Sequence, residues 1–168
     1  MTRIRTIAHE LCMNLEEQVR IWRRLLDLSN AQLAALQVQD VHSVHAILQE
    51  VEVTMLERSR TEIRRGMLLE QAALELGVPA TEVTRSVLEQ HSDAPLAEAL
   101  GRSADELRVL VGDLDAVVAR NRAMLEQELE IIEVLVRGAT EDRSVKQTYG
   151  KTGNQTDRPR LRLLDAQV

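Results

Sequence analysis

The sequence predicts an all-α fold: a long antiparallel helical hairpin or bundle, a long C-terminal helix and a flexible C-terminal tail. Three observations carry that expectation. The 168 residues are 44% hydrophobic yet hold no Phe, one Trp (Trp22) and one Tyr (Tyr149). A core of Leu, Val, Ile, Met and Ala without aromatic rings suits thin helix-on-helix seams. Apolar residues recur at steps of three and four over most of the chain, the period of one helical face. After Gly138 the composition turns polar and rich in turn formers.

The first helix is expected from about Arg5 to Gln37. Ile4, Ile7, Leu11, Leu15, Val19, Trp22, Leu26, Leu33 and Leu36 form its stripe, and Ile21, Leu25 and Leu28 widen it. Asp40 reads as the N-cap of a second helix, its carboxylate accepting from first-turn amides. Val41, Val44, Leu48, Val51, Met55, Leu56, Ile63 and Met67 give that helix its expected apolar stripe. Gly77 is placed to end it in a left-handed cap, with Pro79 beyond. The two- or three-residue link between the helices makes them antiparallel neighbours.

A short third helix is expected over Ala80–Gln90, and His91 to Pro95 reads as a loop. Gly101 is positioned to break or kink the helical piece that begins near Pro95, and Ser103 and Glu106 have capping-box spacing for the start of the last long helix. That helix is expected to stop at Gly138. Its apolar stripe includes Leu114, Leu125 and Val136 at eleven-residue steps, a period that favours a nearly straight helix. Asn121 falls on the stripe, where a single Asn can set the register of a seam. The expected organisation is therefore a helical bundle domain, 1–138, and a flexible tail, 139–168, whose Leu161, Leu163 and Leu164 make a short apolar end segment.

Charge and composition exclude several classes of function. The net charge is −6, and residues 139–168 carry six Lys or Arg against four acids, so the acidity sits in the preceding body. An acidic body is a poor partner for nucleic acid, whose binding depends on neutralising phosphates. No apolar run approaches the length needed to span a bilayer, so no membrane insertion is expected. One cysteine, Cys12, permits no internal disulfide, and no apolar leader follows Met1, which suggests a cytoplasmic protein.

No catalytic constellation emerges, and the protein is expected to be no enzyme. His42 and His45 lie three apart on one helix, but metal sites use three or more ligands. Cys12 has His9 one turn away and nothing resembling an oxyanion loop. The glycines are scattered and form no phosphate-cradling loop, so no metal or cofactor is expected. What remains is binding through a long amphipathic helix.

Three features together resemble the FlgN family of flagellar export chaperones. The first is the hairpin from Gln18 to Arg65, with Leu25-Leu26, Leu33, Leu36, a tight polar turn, Leu48, Met55-Leu56 and Arg58. The second is Val117-Val118-Ala119-Arg120-Asn121-Arg122-Ala123-Met124-Leu125, similar to the family's Asn-containing segment before a long apolar helix end. The third is the tail, Thr148-Tyr149-Gly150 followed by Leu163-Leu164-Asp165-Ala166.

The resemblance implies a cytoplasmic chaperone that binds the hook-associated proteins FlgK and FlgL and delivers them to the type III export gate. It implies a client surface at Asn121, Leu125, Leu129, Ile132 and Val136, and docking of Tyr149 on the gate component FlhA. A self-associating coiled-coil scaffold or adaptor, a homo-oligomer through its long helices, is the alternative.

Overall fold

The structure is a computed structural model that describes residues 3–146. It contains α1 (Arg3–Gln37), α2 (Val41–Leu76), a 3-10 turn at Ala80–Glu82, α3 (Arg85–Gln90) and α4 (Ala94–Lys146), with no strand among the described residues. The chain divides into two units, Met1–Gln127 and Glu128–Val168. The all-α class, the hairpin and the long last helix are as the sequence predicts. The tail beyond Lys146, with Tyr149, Leu161, Leu163 and Leu164, lies outside the described residues.

In the first unit α1 and α2 run antiparallel. Arg3 meets Glu75 at 3.1 Å, Asn14 Nδ2 donates to the Thr61 carbonyl at 3.0 Å, and Arg24 pairs with Glu50. The turn between them has a specific chemistry. Asp40 N–H donates to the Ala35 carbonyl at 2.9 Å and Gln39 N–H to that of Leu36 at 3.0 Å, with Gln39 left-handed at φ 56°. Asp40 then caps α2, accepting from Ser43 N–H at 3.1 Å and from its hydroxyl at 2.6 Å. The far end of α2 repeats the device with the residue best suited to it. Gly77 sits at φ 68° and Val78 N–H donates to the Ala73 carbonyl at 3.1 Å.

The side of α2 that faces inward differs from the expected stripe. Its buried residues are Thr54, Thr61, Leu68, Ala72 and Ala73, whereas Leu48, Met55, Leu56, Ile63 and Met67 are exposed. Small side chains let the two helices approach closely. Each threonine hydroxyl returns its proton to its own helix, Thr54 to the Glu50 carbonyl and Thr61 to that of Arg58, both at 2.8 Å. Their methyl groups are then free to pack. On α1 Ile4, Ile7, Leu11 and Val19 are buried as expected, with Ile21, Leu25 and Leu28 beside them, while Trp22 is only half-buried under Arg58, whose guanidinium lies 4.9 Å from the ring centre.

The segment between α2 and α4 closes one end of the core. Val83 and Leu88 are buried with Ile4, Ile7, Leu11, Leu68 and Leu100. The single helix expected at Ala80–Gln90 is in fact two short pieces, because Thr84 is extended between them. Asp93 caps the next helix by accepting from Leu96 N–H at 3.2 Å, with Pro95 in the first turn.

From there α4 is continuous, and three expectations are corrected. Gly101 does not break it. A Cβ there would lie 3.2 Å from the Arg85 guanidinium, so the glycine makes room for α3, whose Arg85 reaches Asp105 at 2.9 Å. Ser103 and Glu106 form no capping box: Ser103 is buried mid-helix and Glu106 pairs with Arg23. Nor does the helix stop at Gly138. A lone glycine costs a helix about 1 kcal/mol, and with no proline behind it the helix runs on to Lys146.

Burial along α4 in the first unit follows a seven-residue rather than an eleven-residue repeat. Leu100, Ser103, Leu110, Val117 and Asn121 are buried, and Leu107, Leu114 and Met124 half-buried, at alternating steps of three and four. This face lies along α1, in the same direction, through Arg5–Asp93, Arg23–Glu106 and Asn121–Ser29.

Candidate functional site

Among the described residues no group of three or more His, Cys, Asp and Glu could hold a metal ion. His42 and His45 are exposed near the start of α2, and His45 Nε2 lies 3.3 Å from Gln49 Nε2. His9 and Cys12 do not form a pair: His9 is exposed and Cys12 is buried in the core. Burial, then the charge of Glu16, pushes the Cys12 thiol above its ordinary value, against a smaller opposing pull from Arg102. A buried thiol held protonated is a small core residue and a poor nucleophile. A depression of about 200 Å³ among Leu11, Leu15, Leu69, Val83, Leu88 and Leu100 continues the core.

The structure separates the five α4 residues to which the sequence points. Asn121 belongs to the first unit and is buried there. Its Nδ2 donates to the Ser29 carbonyl at 3.0 Å and to Gln32 Oε1 at 2.9 Å, while its Oδ1 is buried with no donor among the described residues. It occupies a seam position of the seven-residue repeat, where one polar residue fixes how two helices register. Leu125, also in the first unit, is exposed.

Leu129, Ile132 and Val136 lie in the second unit, spaced i, i+3 and i+7, so they share one side of the helix. Other apolar residues accompany them. Ile131, Val134 and Leu135 are exposed as well, so six of the eight positions from Leu129 to Val136 carry large apolar side chains that are 47–66% exposed. Glu130 and Glu133 are the two exceptions. A helix face this broadly apolar is normally covered, and contiguous exposed apolar surface marks a binding site. Periodicity alone locates Leu129, Ile132 and Val136. Only the clustering of six apolar residues in eight brings in the rest.

No described helix is long and apolar enough to cross a membrane. In comparison with known protein families, the FlgN protein family matches residues 1–157. No curated protein and no solved structure matches the chain significantly.

Proposed function

The chain belongs to the FlgN protein family, and on that premise we propose that it works in the cytoplasm, binding the hook-associated proteins FlgK and FlgL and delivering them to the export gate component FlhA. The family is one of flagellar export chaperones, and that role comes with membership. The observation that supports the finer reading is the exposed apolar stretch of the second unit. Leu129, Ile132 and Val136 have the i, i+3, i+7 spacing with which one helix receives another. Leu125, exposed in the first unit, is open to the same kind of contact.

The energetics suit a carrier that must let go. Covering these half-exposed side chains together with the client's own apolar residues supplies the driving force, and the cost of association offsets much of it. A few such anchors give a reversible complex. Glu130 and Glu133 between them favour a client helix with Lys or Arg at its edges, which adds a salt-dependent attraction. Binding needs no catalytic group and no cofactor. Tyr149, outside the described residues, is assigned to the FlhA contact. Its replacement by Ala should leave client binding intact while lowering delivery.

Hydrogen–deuterium exchange with and without the C-terminal segments of FlgK and FlgL tests this reading. Slower amide exchange over residues 128–138 on adding either segment is the expected result. Protection confined to α1 and α2, with residues 128–138 unchanged, would reject the assignment.

A further inference from the structure

The outward face of α2 is apolar along half its length, although α2 has already buried its opposite side against α1. Leu56, Ile63, Met67 and Leu74 are 57–83% exposed. With Arg60 and Glu70 they form two rows. Leu56, Ile63 and Glu70 are spaced by sevens, and so are Arg60, Met67 and Leu74. The second row lies four positions on, one turn away and beside the first.

The rows are complementary to each other when one is reversed. Leu56 and Leu74 stand nine residues either side of position 65, Ile63 and Met67 two, and Arg60 and Glu70 five. We propose that this face is a homodimer interface, in which two copies pair α2 antiparallel about a two-fold axis at the level of residue 65. A two-fold interface requires that wherever residue i meets j, j also meets i. Here that rule sets Leu56 on Leu74, Ile63 on Met67 and Arg60 on Glu70, each twice.

Two further observations favour a second copy over an unrelated partner. Arg60 and Glu70 have no ion-pair partner within the described residues, whereas the neighbouring Arg65 is held by Glu62 at 2.6 Å. Their opposite charges find each other only across the two-fold. The charges also select the register: sliding the pair by two turns sets Ile63 against Arg60 or Met67 against Glu70. Gly66, near the axis, has open space around it and nothing in its own chain that requires a glycine. In an exposed helix interior a glycine is less favourable than Ala, and it lets two backbones come close.

The strip from Leu56 to Leu74 is about 27 Å long at 1.5 Å per residue. A single helix pair of that length sits at the small end of specific interfaces, so the dimer is weak and forms at high protein concentration. The surface belongs to α2 in the first unit and does not depend on the client reading of α4.

Sedimentation equilibrium of the full chain from about 10 µM to about 1 mM, the range in which so small an interface would dissociate, tests the proposal. Circular dichroism confirms that each exposed-site variant is folded. The wild type should show a monomer–dimer equilibrium. Ile63→Asp should weaken it about tenfold or more. Arg60→Glu should weaken it severalfold by setting Glu against Glu70, and adding Glu70→Arg should restore it to within about twofold of wild type. A chain monomeric throughout that range would overturn the proposal. So would a dimer unaffected by Ile63→Asp, a charge swap that restores nothing, or a dimer lost in Leu129→Asp, which would place self-association on α4.

Discussion

Asn121 spends both protons of its amide on α1, at the Ser29 carbonyl and Gln32 Oε1, and leaves its own oxygen buried without a donor among the described residues. An unsatisfied buried carbonyl costs about 1–3 kcal/mol. The seam therefore gains a fixed register and loses stability.

Asn121→Leu removes the orphaned oxygen, and Gln32, half-buried, can turn to water. The expected outcome in urea unfolding is stabilisation by roughly 1 kcal/mol. Asn121→Asp sets a carboxylate against the Ser29 carbonyl and should destabilise by about 3 kcal/mol. Trp22, the single tryptophan, reports the transition by fluorescence. Because Asn121 faces α1, neither change should alter client affinity beyond the effect of stability.

The two ends of the hairpin make a second prediction. Gln39 and Gly77 both occupy the left-handed region, at φ 56° and 68°. For a residue with a Cβ that conformation costs roughly 1 kcal/mol. Gln39→Gly should stabilise the protein by about 1 kcal/mol and Gly77→Ala should destabilise it by a similar amount, both read from the midpoint of urea unfolding.

Asp40 ties the turn to pH. The Ser43 hydroxyl, and after it the backbone amide of Ser43, hold its carboxyl below the ordinary value of 3.8. A depressed folded-state value means that the contribution is fully present above 3.8 and is lost as pH falls through the folded value. Asp40→Ala should lower the melting temperature at pH 7, and the gap from wild type should close as pH falls below 3.8 towards 2. Scanning calorimetry at several pH values measures it.

Helix ends are legible in the sequence where one residue carries the chemistry. Asp40 and Gly77 bound α2 as their types require. Helix faces are less so. The inward side of α2 is concealed because Thr54 and Thr61 look polar, and only the structure shows their hydroxyls turned back onto Glu50 and Arg58. In α4 the seven-residue seam is hidden by the polar residues Ser103 and Asn121 at two of its positions. The capping-box spacing of Ser103 and Glu106 also arises inside a helix, and nothing local distinguishes the two cases. For Leu129, Ile132 and Val136 the period gives a shared side of the helix but not whether that side is covered. Their exposure is a property of the folded chain.

Client binding at Leu129 and Ile132 is tested most directly by calorimetric titration of the full chain with the C-terminal segments of FlgK and FlgL, for the wild type and for the double variant Leu129→Asp, Ile132→Asp. The expected result is a saturable complex with a dissociation constant on the order of micromolar, weakened at least about a hundredfold in the double variant with circular dichroism unchanged. Equal affinity for wild type and variant would contradict it, as would the absence of any binding by the wild type.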